Sequence, residues 1–380
     1  MRYQRLRILV LSLISLIISP YACLAEAEIK NNTARIGIYL PMTGVDAAFG
    51  QSEYSAIEIA HKLRPGVLGS TIELHFFDTK SEDSLASNAA DILIKKYNVH
   101  ALIGGTPDDK ILPGSIIAEK ERIPVVYPIV TYPLATQNNK YTFRVCATDS
   151  LEAKAAAALA YEIHGAKKAA IMIDISQDYA FNISNIFVKN FIERGGRIIS
   201  ATYCQPEDKA LTEQISAIIA AKPDILYLPN YPDEVVLACK SAIESNLSVP
   251  ILSSSKAQTS ELIKKGENFV EGVIVPGHFA REAVTTDIAK QFIETYEKAT
   301  GDRVTAIHAL SADSYFLLLD AIERAKSFRG YDIRKALSKT KNFKAVSGTI
   351  SMDSNGNAVK EVVFNQVKGG NLEYLTTVNP

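Results

Sequence analysis

Short apolar runs alternate with amphipathic stretches of ten or more residues along most of this chain, and that alternation limits its fold more than any other feature. Runs at 35–40 (RIGIYL), 71–78 (TIELHFFD), 101–104 and 125–128 read as strands, while 50–64, 84–97 and 111–121 carry apolar residues at helical spacing. The cycle resumes with a helix at 151–164, a strand at 169–174 and a helix at 181–194. It continues through 197–203, 211–221, 225–228, 234–245 and 250–252. Short strands of this kind, separated by helices, predict parallel sheets covered on both faces. From residue 285 the pattern turns helical, at 287–300, 306–326 and 331–338. It ends in a hairpin of 348–353 and 359–367 across the Asp353-Ser354-Asn355-Gly356 turn. Two such series in 380 residues predict an α/β chain of two doubly wound parallel-sheet lobes, each with its own core.

Composition excludes several functions. With 41 Lys+Arg against 42 Asp+Glu and a net charge of −1, no cationic surplus exists to neutralise phosphates, so nucleic acid is not a partner. An apolar share of 47% rules out a disordered chain. Residues 1–25 read as a signal peptide: Arg2, Arg5 and Arg7 precede an apolar run at 8–19, with cleavage after Ala25 or Ala27. Cys23 raises lipid anchoring, but Pro20 stands where such sites usually carry Leu, so simple export to the periplasm is the expectation. Removing 1–25 takes away three arginines and no acid, which moves the net charge from −1 to −4. Cys146, Cys204 and Cys239 form an odd set without CxxC spacing. Buried free thiols are expected, with a Cys204–Cys239 bridge as the alternative.

In open parallel sheets ligands bind beyond the carboxyl ends of the strands, where helix N-termini converge. That singles out the loops at 41–50, 104–109, 128–136, 174–179, 229–232 and 253–257. Their Gly, Pro, Ser, Thr, Asp and Tyr serve turn chemistry in any such loop, so position marks them and not composition.

These residues carry a resemblance. Gly37, Pro41-Met42-Thr43-Gly44 and Phe49-Gly50 are similar to the opening of type I periplasmic binding proteins. The branched-chain amino-acid (Leu/Ile/Val) ABC-transporter substrate-binding family fits best. Phe76-Phe77-Asp78, Ile103-Gly104, Ile123-Pro124-Val125, Phe143-Arg144-Val145 with Asp149, Asp178-Tyr179, Gly272-Val273, and Gly348 with Asp353 and Gly356 follow in that family's order. The resemblance implies two lobes joined by a three-segment hinge, crossing near 143–147, 275–279 and 345–348. Lobe one would comprise 33–143 and 280–344, and lobe two 144–276 and 345–380. It further implies a monomeric, non-catalytic amino-acid-transport receptor without cofactor, which closes over a small molecule and docks on an ABC permease in the inner membrane. A ligand-binding sensor of the same fold, signalling to a membrane partner, is the alternative.

Carried over position by position, the family's ligand residues match only in part. Thr131 stands where a Thr takes the ligand carboxylate, but Asp108, followed by Asp109, stands where a Ser hydroxyl does. A carboxylate facing another at 4 Å is repelled by about 4 kcal/mol at an effective dielectric of 20. Ser255 occupies the place of the acid that takes the ligand ammonium. Tyr179 is kept, Phe49 replaces a Tyr, Ile129 sits at a backbone contact, and Tyr231 matches a wall position. The expected ligand is therefore not a standard branched-chain amino acid. It would be an amide, aromatic or amino-acid-like compound with a cationic or amide-like donor for Asp108 or Asp109. Two alternatives stay open: Asp108 and Asp109 only cap the following helix, or Lys110 or Lys256 reverses the polarity and admits an organic acid. A true amino-acid binder remains a further one.

No chemistry-bearing motif competes. The six histidines show no HExxH or paired spacing, and no GxSxG, Walker or GxGxxG motif occurs. The Asp353–Asn357 turn begins like a calcium loop but has Phe364 where the twelfth-position Glu belongs. Neither a metal nor a catalytic residue is expected.

Overall fold

The computed structural model describes residues 33–105, 108–132 and 135–380, with the backbone alone for 108–111. The expected signal peptide lies outside the described residues, as do the side chains of Asp108 and Asp109.

The first sheet contains β1 (Ala34–Leu40), β2 (Gly66–Val67), β3 (Ser70–Asp78), β4 (Ala101–Gly104), β5 (Val125–Tyr127) and β6 (Thr142–Arg144), in the order β2-β3-β1-β4-β5-β6. All its pairings are parallel except β2 with β3. Helices α1 (Ala47–Leu63), α2 (Asp83–Lys95) and α3 (Asp108–Glu121) connect its strands. The second sheet begins after α4 (Asp149–Ala158), which runs into one π-turn at Leu159–Ile163. It holds β7 (Lys168–Asp174), β8 (Arg197–Cys204), β9 (Ile225–Leu228), β10 (Ile251–Ser253) and β11 (Ile274–Gly277). Its connections are α5 (Asp178–Glu193), α6 (Thr212–Ala221), α7 (Pro232–Glu244) and α8 (Ser260–Gly266). Three helices follow, α9 (Asp287–Thr300), α10 (Ala306–Ala325) and α11 (Gly330–Leu337). Then come β12 (Phe343–Ala345), β13 (Gly348–Met352), β14 (Ala358–Val359), β15 (Val362–Lys368) and β16 (Asn371–Val378). The second sheet's order is β16-β15-β11-β10-β9-β7-β8, parallel from β11 to β8 and antiparallel at β15 and β16.

Each sheet is apolar on both faces because helices cover both. Every residue of β4, β5, β6, β9 and β11 is buried. On one face of the first sheet pack α1, α9, α10 and α11, on the other α2 and α3. In the second sheet α4 and α5 cover one face, and α6, α7 and α8 the other. Helix α9 shows how sequence makes such a cover. Ala289, Phe292, Ile293 and Tyr296 recur at helical spacing and are buried; Thr286 caps the start and Gly301, at φ +78°, ends it. Burying a side chain such as Phe292 or Ile293 stabilises by about 1.5–3 kcal/mol.

Membership of the cores changes where the chain crosses between sheets. Cys146 packs with the first sheet and Ala147 with the second; Val275 packs with the second and Phe279 with the first. In the last segment Ala345, Val346, Ile350 and Ala358 pack in the first core, and Val362 is the first residue of that segment to pack in the second. The expected 348–353/359–367 hairpin is correspondingly cut short. β13 pairs with β14 through Ser351–Val359 and Met352–Ala358 only, and β15 pairs instead with β11 and β16. Lys360 supplies the physical reason. It is 5% exposed, and its Nζ donates to Ser347 Oγ, whose hydroxyl donates to Asp313 at 2.5 Å. Asp313 is wholly buried on α10 and also accepts from the amides of Val346 (2.5 Å) and Ser347 (3.1 Å). Burial pushes the Asp313 carboxyl up and Lys360 holds it back; burial pushes Lys360 down.

A buried cation left without its counter-charge destabilises strongly. Asp313→Asn is expected to cost about 3 kcal/mol in urea unfolding, and adding Lys360→Met should recover much of that loss. Equal stabilities of wild type, single and double variants would remove this network from the fold's support.

Candidate functional site

The six loops singled out in the sequence all leave the carboxyl ends of the two sheets. After β1, the turn at 41–44 is gripped by Asp78 at the end of β3. The Asp78 carboxylate accepts from the amides of Met42 (2.9 Å), Thr43 (3.2 Å) and Lys80 (2.8 Å), and from Thr43 Oγ1 (2.7 Å). Burial alone would raise the Asp78 pKa, but the bonds from Thr43, Lys80 and Met42 outweigh it and hold the carboxyl below its usual range. Phe49 follows in the first turn of α1 and is 54% exposed. After β4, Gly104 is required by close packing: a Cβ there would lie 2.1 Å from the Tyr127 ring. The backbone of α3 starts at Asp108, three residues earlier than expected, which puts Asp108 and Asp109 in its first turn.

After β5, the loop at 128–136 hangs on Arg144. That side chain is wholly buried; its Nη1 donates to the carbonyls of Val130 (2.6 Å) and Tyr132 (2.8 Å), and its Nη2 to Thr136 Oγ1 (3.2 Å). Cys146 Sγ adds contacts to the Val130 amide (3.3 Å) and carbonyl (3.4 Å). The loop so held presents Thr131, buried, and Ile129, half-buried against the first core.

On the second sheet Tyr179 lies in the first turn of α5 and Tyr231 just before α7, their ring centroids 6.1 Å apart and tilted by 58°. Lys256 Nζ lies 5.5 Å from the centre of the Tyr179 ring. Ser255 opens a 3-10 turn, Ser255–Ala257, after β10, and its backbone amide donates to Glu152 Oε1 at 3.0 Å. Glu152, in α4, is only 2% exposed. Burial lifts its pKa to about 7; Asp149 pushes the same way, while Ser255 and Lys256 pull back. Burial raises the Tyr179 hydroxyl too, with Ser254 opposing. At the end of β11, burial first and then Lys360 and Lys256 depress His278 to about 3, so its imidazole is neutral.

The structure thus gathers Tyr179, Tyr231 and Ser255 around Lys256 and Glu152 on the second sheet. Ile129 and Thr131 lie on the Arg144-held loop of the first, and Phe49 on its rim. Sequence reading missed Glu152, which brings a carboxylate to the place where Ser255 had signalled its loss. It also missed Arg144 as the loop's anchor. An acid in the first turn after the first crossing was the available signal for Glu152. Cys146, Cys204 and Cys239 are buried and free, as expected, and burial pushes Cys204 and Cys239 up to about 12. Among the described residues no group of three or more His, Cys, Asp or Glu is placed to hold a metal ion.

Comparison with known proteins agrees with this architecture. A family model described as periplasmic binding protein matches residues 33–371. The crystal structure of a leucine-binding protein from Thermotoga maritima MSB8 is 38% identical, covers 92% of this chain and 99% of its own, and superposes with a TM-score of 0.73. The Leu/Ile/Val-binding protein homolog 2 of Brucella abortus (strain 2308) is 21% identical over 345 residues, 89% of this chain and 92% of its own. An ABC-transporter solute-binding protein from Rhodopseudomonas palustris BisB5, solved with 3,4-dihydroxybenzoic acid, shares the fold. It is 19% identical with a TM-score of 0.70, over 91% of this chain and 97% of its own.

Arg144→Met strips three acceptors of their buried donor, and Arg144→Lys cannot reproduce the fork geometry. Both are expected to lower the unfolding free energy, the Met variant by about 3 kcal/mol. Both should also raise amide hydrogen exchange across 129–136. Unchanged exchange there would show that the loop does not depend on Arg144.

Proposed function

The chain belongs to the periplasmic binding protein family, and we propose that it is a transport receptor that closes two lobes over one small organic solute and hands it to a membrane permease. As a solute-binding protein of ABC-transporter type it is a non-enzymatic transport component, and the family implies an extracytoplasmic place. No helix of the described residues is long and apolar enough to cross a membrane.

Core membership suggests the lobes: 33–146 with 279–358, and 147–278 with 359–380. Three crossings between separately packed cores suit hinge closure, and a solute touching both carboxyl edges supplies the differential affinity that favours the closed form. The aromatic pair of half-buried Tyr179 and exposed Tyr231, set beside the polar Ser254, Ser255 and Lys256, is the observation that carries the reading. It offers one flat apolar wall with polar groups at its edge, the usual make-up of a small-molecule site. In the closed form proposed here, Phe49, Thr131 and Ile129 at the carboxyl edge of the first sheet would be brought against that wall.

The case against a standard branched-chain amino acid now rests on Asp108 and Asp109 in the first turn of α3. Glu152 beside Ser255 removes the part that rested on a missing acid. An aromatic or amide-bearing solute suits the wall better than leucine, isoleucine or valine.

Protein refolded free of carried-over ligand is to be screened by calorimetry and thermal shift against amino acids, aromatic amines, amides and aromatic acids. A cognate solute at 100 times its Kd should stabilise by about 2.7 kcal/mol. Tight binding of leucine, isoleucine or valine would overturn the ligand assignment. A panel without binders, together with ligand-free protein in native mass spectrometry, would overturn the receptor reading. Tyr179→Ala is expected to weaken the cognate solute by about 1–3 kcal/mol, and an unchanged Kd would take Tyr179 out of the site.

A further inference from the structure

The near-neutral net charge of this chain conceals a strong local imbalance. Residues 326–344 hold seven Lys and Arg against one acid, Asp332, a surplus of six; with a total of −1, the rest of the chain therefore sums to −7. The segment runs from the end of α10 through α11 to β12. Its acid is already paired, accepting from Arg329 Nε at 2.6 Å and from Ser327 Oγ at 2.8 Å. On α10, Glu323 pairs with Arg64 and Asp320 with Arg324. Lys326, Lys335, Lys339 and Lys341 are exposed and take part in no ion pair among the described residues.

Two exposed cations from elsewhere in the fold join this surface. Gly330 opens α11 so close to the Arg122 carbonyl that a Cβ there would lie 2.3 Å from it, and Arg334 Nε donates to the Lys140 carbonyl at 3.0 Å. Helix α11 buries Ile333, Ala336 and Leu337. Tyr331, 55% exposed, and Lys335 stand one turn apart on its open side, and Lys339 follows at the same spacing. The patch sits at the amino ends of the first sheet. Arg122 and Lys140 come shortly before β5 and β6, and Phe328 stacks at 5.3 Å on His100, which immediately precedes β4. The six loops of the candidate solute site leave the opposite, carboxyl ends.

We propose that this surface, centred on Tyr331, Lys335 and Lys339, docks on an anionic phospholipid bilayer and tethers the protein there reversibly. Cations gathered round one exposed aromatic ring suit a bilayer interface: the phosphates meet the cations, and the ring settles at headgroup level. A planar partner reaches the patch alone, and salt screens the negative remainder wherever it lies more than about 8 Å away. The extracytoplasmic place implied by the family puts such a bilayer within reach. The tether is independent of cargo, because none of its residues belongs to the six loops.

Vesicle sedimentation and fluorescence test this on the full chain, with phosphatidylcholine vesicles with and without phosphatidylglycerol. Binding should require the anionic lipid and should vanish between about 0.1 M and about 1 M salt, as the screening length falls from about 10 Å to about 3 Å. Each cation at such a surface is worth about fivefold in partitioning, so a Lys335→Gln/Lys339→Gln/Lys341→Gln variant should bind about a hundredfold more weakly with an unchanged unfolding midpoint. The chain contains no Trp, so Tyr331→Trp places a single reporter in the patch, and Tyr203→Trp, at a 53% exposed position on β8, places one on the other sheet. Anionic vesicles should shift the emission of the first variant to the blue and leave the second unmoved. Absence of sedimentation, equal binding to neutral vesicles, or no shift in Tyr331→Trp would overturn the proposal. A Tyr331→Trp shift with poly-L-glutamate as large as that with vesicles would overturn it in favour of an acidic protein partner. Should the triple variant lose stability, the salt series and the two reporters still decide the matter.

Discussion

The wholly buried guanidinium of Arg144 is the interaction on which the site's architecture depends. Standing at the end of β6, it replaces water for the buried carbonyl of Val130 and the buried Thr136 hydroxyl and also binds the Tyr132 carbonyl nearer the surface. The Arg144 amide donates to the Gly356 carbonyl at 3.0 Å, and Thr136 donates to Asn357 at 2.8 Å. One residue therefore joins the loop after β5 to the turn between β13 and β14. Gly356 itself is at φ +80°, and a Cβ there would lie 2.4 Å from the Thr142 carbonyl, so the turn and β6 approach as closely as backbone allows.

Several buried charges sit where the chain passes between the two sheets. Arg144 precedes the passage at 146–147 and Asp149 and Glu152 follow it, while Lys360 lies between the last first-core residue, Ala358, and the first of the second, Val362, tied through Ser347 to Asp313. The cores on either side are almost purely apolar. Apolar packing tolerates many similar arrangements, whereas a buried ion is satisfied only with its partners in place.

Much of this was legible in the residues. The parallel strands and their covering helices follow from unbroken apolar runs and helical spacing, and the family resemblance carried by Pro41–Gly44, Asp78 and Phe143–Val145 is matched by the comparisons. The terminal hairpin was misread because β14 and β15 lie in one largely apolar stretch, 358–367, broken by Lys360-Glu361 and Asn365-Gln366. A pattern of period two cannot tell which sheet a strand joins. The Gly369-Gly370 turn, at φ +53° and +75°, was the available sign that β15 pairs forward with β16.

The sequence by itself determined the elements, their alternation and which loops leave the carboxyl ends of the strands, because those depend on neighbours a few residues apart. Only the tertiary structure decided which acid stands at Ser255, which cation holds Thr131 in place, and which core each part of 345–362 joins. Each of these depends on groups brought together from distant positions, Glu152 with Ser255 and Asp313 with Lys360. The cost of burying charge selects such pairs in three dimensions and leaves no periodic trace along the chain.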